Sequence, residues 1–262
     1  MCSVAAPPAK QAGPQRNLMP ARNFHLILNV YSMIAELQDI KKHYNQALSG
    51  RQKPVLDGVS LQIGENESIA VTGPSGSGKT TLLNILGTLD RPDSGTVILN
   101  GMSVPKLNES ELARLRNGFI GFVFQLHFLL PQLSLIENVL LPLMPLHDKL
   151  ARRAGRERAM RLIERMGLQD MINQKPSGLS VGECQRAAVV RALVNKPGLL
   201  LADEPTGSLD TETAARLGIL LSELKKEERI SMVVVTHSPE LAARMDKIFR
   251  LGSGKLLPIN KA

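Results

Sequence analysis

The sequence predicts an α/β fold with a largely parallel core sheet. Residues 68–72, 199–203 and 230–236 are short apolar runs, typical of strands that are buried on both faces. Strands that alternate with helices form a parallel sheet covered on both faces, and helical patterns separate these runs. Residues 34–40 and 59–63 instead alternate apolar and polar side chains, so we expect an antiparallel β part on the N-terminal side.

A glycine-rich loop follows the first buried strand. Residues 73–80 fit the pattern G-x-x-x-x-G-K-[ST], and a strand before them and a helix after them supply the context of a phosphate-binding loop. Lys79 is expected to reach the β- and γ-phosphates of a nucleotide, and Thr80 to ligate Mg²⁺. The core is therefore predicted to be a P-loop NTPase. The residues expected to bind the nucleotide here are Gly73, Pro74, Ser75, Gly76, Ser77, Gly78, Lys79, Thr80 and Thr81.

The other elements follow in order along the chain. They are a loop over 41–54, strands over 96–99 and 119–124, and helices over 109–116, 183–194 and 211–229. Between residues 132 and 178 the alternation of strand and helix lapses and the pattern is helical. We expect this stretch to be a helical subdomain inserted into the core.

The two ends of the chain are expected to lie outside the folded domain, which covers residues 33–257. Residues 1–32 are rich in proline and contain no acidic residue. This composition predicts either a disordered basic tail or a start codon assigned too early, with translation beginning at Met33. Residues 258–262 form a short C-terminal tail.

Composition excludes several classes of protein. Hydrophobic residues make up 43% of the 262 residues, which fits a packed core, and no apolar run approaches the roughly 20 residues that span a bilayer. Two cysteines give no disulfide framework. More than half of the net charge of +8 lies ahead of residue 54, which is compatible with an anionic partner. The aromatic content of 3% supplies few base-stacking side chains, so we expect no nucleic-acid partner.

Polar side chains stand at the carboxyl ends of three predicted strands. Asp203 and Glu204 end one apolar strand, where Asp203 is expected to hold Mg²⁺ and Glu204 to polarise a water aimed at the γ-phosphate. Gln125 suits contact with Mg²⁺ or with the attacking water, and His237 suits contact with the γ-phosphate. Each residue alone is an ordinary strand end, but with a phosphate loop upstream they predict a hydrolytic site. The predicted catalytic residues are Glu204, His237 and Gln125, and the predicted metal ligands are Thr80, Gln125 and Asp203.

A second helix start also carries small polar residues. Ser180 and Glu183 have the spacing of a capping box, in which each side chain bonds the other residue's backbone N–H. With Gly182 between them, this helix N-terminus predicts a second anion site. Two anion sites in one ATPase suggest that one ATP is held from both sides. The sequence leaves open whether both sides belong to one chain.

The order of these segments resembles the ATP-binding-cassette (ABC) ATPases over about residues 33–257. The segments are the phosphate loop, Gln125, Ser180–Gly182, Asp203-Glu204, Ser208-Leu209-Asp210 and His237. The resemblance implies a head-to-tail dimer, in which Ser180 and Gly182 contact the ATP held by the other copy. It also implies that Tyr44 stacks on adenine and that Asp210 connects the two sites. The chain departs from the family pattern at Val181, Glu183 and Cys184, of which Val181 bears most on the anion site.

Within that family, residues 124–131, 136–144 and 202–210 resemble the ATPases that release lipoproteins from the bacterial inner membrane (the Lol system). Macrolide-export and cell-division ATPases have similar residues there. The resemblance implies an ATP- and Mg²⁺-dependent transport ATPase at the cytoplasmic face of the inner membrane, with separate transmembrane permease subunits. Cytoplasmic helices of the permease are expected in a groove beside Gln125, walled by residues 126–144.

Two rival interpretations remain at this stage. A nucleic-acid-associated ABC ATPase would account for the positive charge, but the chain has one cassette and no zinc-binding cysteine set. A P-loop kinase of small molecules would leave Ser180 and Gly182 without a role.

Overall fold

Two β-sheets form the framework of the protein in a computed structural model, which describes residues 33–45 and 52–260. The predicted tail, residues 1–32, lies outside the described residues. The strands, in chain order, are β1 (Met33–Asn45), β2 (Gln52–Gly64), β3 (Ser68–Thr72), β4 (Ser94–Leu99), β5 (Met102–Ser103), β6 (Ile120–Val123), β7 (Leu199–Asp203), β8 (Ser231–Val235), β9 (Lys247–Gly252) and β10 (Lys255–Ile259).

The first sheet is antiparallel, with the strand order β2-β1-β4-β5. The predicted loop over 41–54 is wrong at both ends, because β1 continues to Asn45 and β2 begins at Gln52. His43 pairs with Pro54 in this extension. Pro54 is tolerated because β2 lies at the end of the sheet order, where a missing N–H breaks no inner ladder. Lys42 is only 9% exposed, so a charged residue occupies an inward position that a hydrophobic pattern does not reveal.

The second sheet has the order β10-β9-β3-β8-β7-β6 and is parallel except for β10. This arrangement confirms the predicted α/β fold with a largely parallel core and an antiparallel part at the N-terminal side. Its central pairs join distant parts of the chain, since Ser68 of β3 pairs with Met232 of β8. Val235 pairs with Val71 and with Asp203, so β3, β7 and β8 end at one edge of the sheet.

The helices fill the connections between strands. They are α1 (Lys79–Leu86), α2 (Glu109–Phe119), α3 (Leu135–Leu140), α4 (Lys149–Arg165), α5 (Val181–Leu193), α6 (Thr211–Glu228) and α7 (Pro239–Ala243). Between β6 and β7 the described chain contains α3, α4 and three short 3-10 turns within residues 132–178, followed by α5. The segment is helical as predicted, and its role as an inserted subdomain stays a prediction. None of the helices in residues 33–45 and 52–260 has the length and apolarity of a membrane span.

The parallel sheet separates two hydrophobic cores. On one face, α1 and strands β1, β2 and β4 pack against inward residues such as Ile69 and Val233. On the other face, α3 to α7 pack against the alternate residues, such as Ala70 and Val234. Both faces are covered, and polar residues that follow the strands therefore reach solvent at the sheet edge. This edge carries the candidate site.

Candidate active site

The phosphate loop joins β3 to α1 and surrounds a lysine. Gly73 (φ 147°) and Gly78 (φ 100°) adopt backbone angles that favour glycine, and a Cβ on Gly73 would lie 2.2 Å from the Leu251 carbonyl oxygen. Lys79 is 7% exposed, and its Nζ donates to the carbonyls of Gly73 and Pro74, each at 3.0 Å. Among the described residues no carboxylate forms an ion pair with Lys79. Its charge is therefore available to an anion in the loop.

Thr80 and Asp203 bring two oxygen ligands together beside this lysine. The Thr80 hydroxyl donates to Asp203 Oδ2 at 2.9 Å, which links the start of α1 to the end of β7. Burial raises the pKa of Asp203, while the Thr80 hydrogen bond and the charge of Lys79 act in the opposite direction. In the described part of the chain, no three His, Cys, Asp or Glu side chains form a metal site by themselves. The pair fits Mg²⁺, which prefers oxygen ligands and commonly takes only one or two from the protein.

Glu204 and His237 lie at the same sheet edge. Glu204 has a φ of 45°, in the left-handed region, and its N–H donates to Val235 O at 2.9 Å. The His237 backbone N–H donates to Glu204 Oε2 at 3.1 Å. Glu204 Oε1 is buried and has no hydrogen-bond partner in the described residues, although His237 Nε2 lies 3.3 Å away outside hydrogen-bond geometry. His237 Nε2 is also 3.3 Å from Lys79 Nζ, so the imidazole stands between the lysine and the glutamate.

Gln125 and Tyr44 lie on the margins of this group. Gln125 follows β6, and its Nε2 is 3.1 Å from the position of a Cβ on Gly207, in the turn after Glu204. No hydrogen bond joins its side chain to Thr80 or Asp203 in the described structure, so its predicted place as a metal ligand stays a prediction. Tyr44 is 45% exposed and lines a cleft of about 540 Å³ together with residues 74–77 of the phosphate loop. The structure thus brings Tyr44 and the loop together.

The predicted second anion site forms a separate group. Ser180 caps α5, and the predicted capping box is confirmed because Glu183 N donates to Ser180 Oγ at 3.3 Å and Ser180 N donates to Glu183 Oε2 at 2.7 Å. Val181 is 51% exposed. No hydrogen bond or ion pair between described residues joins Ser180 or Gly182 to the phosphate loop.

The start of α6 lies against this second group. Asp210 caps α6 by accepting a hydrogen bond from Thr213 N at 3.0 Å, and this backbone bond lowers the pKa of Asp210. A Cβ on Gly182 would lie 2.7 Å from the Thr213 methyl carbon. Asp210 and Gly182 therefore meet through Thr213.

Comparison with known proteins assigns the family. Residues 56–207 match the family model described as "ABC transporter". The chain belongs to this family. It is accordingly an ATPase with the cassette fold, as the phosphate loop and the strand-end carboxylates predicted.

Relatives of this ABC ATPase differ in how much of their length it covers. The lipoprotein-releasing system ATP-binding protein LolD of Syntrophus aciditrophicus is 46% identical over 222 residues, which are 85% of this chain and 98% of that protein. The macrolide export ATP-binding/permease protein MacB of Syntrophobacter fumaroxidans is 45% identical, and the chain spans 31% of its length. The dimeric ATP-binding cassette MJ0796, bound to ADP and Pi, matches with a TM-score of 0.76 and 36% identity over 87% of this chain and 100% of that one.

Sequence reasoning missed the residues that hold the segment after Gln125. Gln185 of α5 is fully buried, and its Nε2 donates to Phe124 O at 2.8 Å. Arg191 of the same helix donates to the carbonyls of His127 and Phe128, each at 2.7 Å. The available signal was a glutamine among the apolar positions of the predicted helix over 183–194. A buried amide needs partners, and here it finds one on the backbone next to Gln125.

Proposed function

We propose that the chain is the ATP-hydrolysing subunit of a bacterial inner-membrane ABC transporter that drives release of lipoproteins toward the outer membrane. The observation that carries the enzymatic part is the convergence of five polar residues at one sheet edge. The Thr80 hydroxyl lies 2.9 Å from Asp203 Oδ2, and His237 Nε2 lies 3.3 Å from both Lys79 Nζ and Glu204 Oε1. The lipoprotein cargo is supported by the relative named LolD, which the chain covers almost completely.

Lys79 and the amides of the phosphate loop bind the β- and γ-phosphates of ATP. Thr80 and Asp203 would hold Mg²⁺, with Gln125, whose side chain lies beside Gly207, as a further ligand. Bound Mg²⁺ supplies positive charge to the phosphate oxygens. Asp203 fits this role because burial raises its pKa by disfavouring the charged carboxylate. A bound cation would neutralise that poorly solvated negative charge.

Glu204 acts as the general base for the attacking water. Its Oε1 is buried without a hydrogen-bond partner in the described structure and is therefore free to accept a proton. The His237 N–H fixes the other carboxylate oxygen at 3.1 Å, which orients the group. His237 Nε2 lies close to both Lys79 and Glu204, where it can donate a hydrogen bond to the γ-phosphate.

A second copy of the chain completes each site. Ser180 and Gly182 form a helix N-terminus that no hydrogen bond or ion pair between described residues joins to the phosphate loop, and Val181 at that end is exposed. In a head-to-tail dimer this N-terminus faces the ATP of the other copy, and Asp210 links the two sites through Thr213. The relative MJ0796 is a dimeric ATP-binding cassette, which supports the pairing of two copies.

Separate permease subunits dock beside the C-terminal part of α5, on a groove and on the adjoining segment after Gln125, whose carbonyls Arg191 binds. The protein then works at the cytoplasmic face of the inner membrane. The groove has a volume of about 430 Å³, and its walls include Leu89, Phe122, Phe124, Pro142 and Arg191. The sequence predicted walls from residues 126–144, but only Pro142 of that stretch lines the groove. The other walls come from α2, β6, the C-terminal end of α5 and Leu89. A pattern within one short segment cannot reveal a groove whose walls are distant in sequence.

Replacement of Glu204 by Gln tests the enzymatic part. We expect ATP binding to persist and hydrolysis to fall about 10²–10⁴-fold, because the phosphate contacts remain while the base is lost. The variant should elute as an ATP-bound dimer in gel filtration. Glu164→Gln, on the exposed side of α4, is the matched control and should hydrolyse ATP normally. Hydrolysis by the Glu204 variant near the wild-type rate would refute its role.

The cargo is tested in cells depleted of the chain. Retention of lipoproteins in the inner membrane of spheroplasts supports the proposal. A macrolide exporter is the second candidate, because of the 45% identity with MacB. Normal lipoprotein release together with new macrolide sensitivity would favour that candidate.

A further inference from the structure

A cluster of three side chains stands behind the cleft that holds Tyr44. The Tyr44 hydroxyl donates to Asp90 Oδ2 at 2.6 Å. Lys42 Nζ donates to the other carboxylate oxygen, Asp90 Oδ1, and to the Arg91 carbonyl, each at 2.7 Å. The same ammonium lies 5.2 Å from the centroid of the Tyr44 ring. One carboxylate therefore holds both the tyrosine hydroxyl and the lysine.

The cluster ties the tyrosine to the phosphate-binding helix. Asp90 follows α1 closely, and Asp90 N donates to Asn84 O within that helix at 3.2 Å. At the other end of α1, the Thr81 side chain lies close enough to Tyr44 to oppose the rise in the Tyr44 pKa that burial causes. The position of the Tyr44 ring in β1 is thus fixed relative to Lys79 and Thr80 in α1.

The burial of the partners suits a rigid support. The side chains of Lys42 and Asp90 are 11% and 27% exposed, whereas Tyr44 is 45% exposed. Burial alone would raise the pKa of Asp90, but hydrogen bonds from Lys42 and Tyr44 outweigh it and the pKa lies below its usual value. Asp90 is consequently ionised at neutral pH, with both oxygens engaged.

We propose that Asp90 and Lys42 are positioning residues that hold the Tyr44 ring in place to receive adenine. This inference rests on the proposed role of Tyr44 at the ATP site. An exposed tyrosine side chain must lose conformational freedom when a ligand stacks on it, and a ring fixed in advance avoids that cost. Asp90 acts through Tyr44 and touches no part of the nucleotide.

The test compares ATP with inorganic tripolyphosphate, which has the phosphates but no adenine. We expect Asp90→Asn to raise the KM and Kd for ATP about two- to tenfold, with a change in kcat below about twofold. Binding of tripolyphosphate should stay at the wild-type value. Tyr44→Phe keeps the ring and the Lys42–Asp90 pair but removes the hydroxyl, and it should raise the Kd for ATP by a similar factor. Asp93→Asn is the matched control, because Asp93 Oδ1 lies 3.9 Å from the same ammonium while Asp93 bonds His43 rather than Tyr44.

A double-mutant cycle separates positioning from general stability. In a Tyr44→Ala background, Asp90→Asn should have no further effect on ATP binding. An equal loss of ATP affinity in both backgrounds, or an equal loss for tripolyphosphate, would overturn the inference. If Tyr44→Ala leaves ATP affinity unchanged, the adenine role of Tyr44 is wrong and the inference fails with it. A wild-type chain that binds neither ATP nor tripolyphosphate would instead refute the proposed function.

Discussion

Asp203 stands where stability and function oppose each other. Its pKa is raised in the folded chain by burial, so the fold disfavours the ionised carboxylate. The folded state then binds a proton more readily than the unfolded state does, and Asp203 lowers the free energy of unfolding as pH rises through the range between its two pKa values. At neutral pH the full decrease in the free energy of unfolding is present. Mg²⁺ would remove it by neutralising the charge.

Replacement of Asp203 by Asn should therefore raise the melting temperature of the nucleotide-free protein in EDTA at pH 7–8. The gain should shrink as pH falls from 8 toward 4, because a growing fraction of the wild-type carboxyl is then protonated and neutral like the amide. Thermal unfolding of both proteins across this pH range measures the difference. A variant that melts lower than the wild type at pH 8 would contradict the assignment. Activity with Mg²⁺-ATP should be lost in the same variant.

Gly182 is constrained within its own chain before any nucleotide is considered. Alanine there would gain about 1 kcal/mol of helix propensity but place its Cβ 2.7 Å from the Thr213 methyl carbon, and overpacking typically costs about 1–3 kcal/mol. We expect Gly182→Ala to lower the free energy of unfolding by about 1 kcal/mol. Thr213→Ser removes the methyl group and should restore stability in the double variant. Denaturant melts check this, and an undiminished loss in the double variant would rule out the clash.

At the scale of elements, the turn between β6 and α3 presents alternate leucines to core and solvent. Leu129 is 6% exposed and belongs to the helical core, whereas Leu130 is 46% exposed. Asn138 of α3, which is fully buried, fixes the backbone of Leu130 through its N–H at 2.7 Å and its carbonyl at 3.1 Å. The outward direction of Leu130 is therefore built into the structure.

Aspartate at these two positions should have different consequences. Leu129→Asp buries an uncompensated charge and should cost about 3–5 kcal/mol of stability. Leu130→Asp should change stability by less than about 0.5 kcal/mol but reduce co-purification with the permease. Leu257→Asp, at a 62% exposed leucine of β10, is the control for an added surface charge. Normal co-purification of the Leu130 variant would show that this face has no part in docking.

The elements that sequence predicted well are those with local signals. The phosphate loop, β7 with its two terminal acids, and the capping box at Ser180 each carry their pattern within a few residues. The extension of β1 through Lys42 was not predictable, because the ammonium is buried against Asp90, a partner 48 residues away. The roles of Gln185 and Arg191 were not predictable for the same reason, because the carbonyls that they bind lie in another part of the chain.

At the scale of the whole molecule, the parallel sheet explains why distant motifs share one site. The register aligns Val71, Asp203 and Val235, so the phosphate loop, Glu204 and His237 all begin at the same edge. The phosphate loop and the Ser180 helix lie on either side of the inserted helices in sequence. In the proposed head-to-tail dimer, a chain of this topology would hold phosphates at its own loop and contact the phosphates of its neighbour with the Ser180 helix.

The pairing of β3 with β8 also affects folding during synthesis, because the two strands are far apart in the chain. β3 cannot pair with β8 until β8 has left the ribosome, about 160 residues later. At ~5–20 residues per second this delay is about 10–30 s. During that interval Ile69, Ala70 and Val71 have no parallel neighbour, and such an edge is prone to join other nascent chains. Synonymous codon changes that slow translation between β3 and β8 would lengthen the wait. Their effect would appear as a lower yield of soluble protein, with the activity of each folded molecule unchanged.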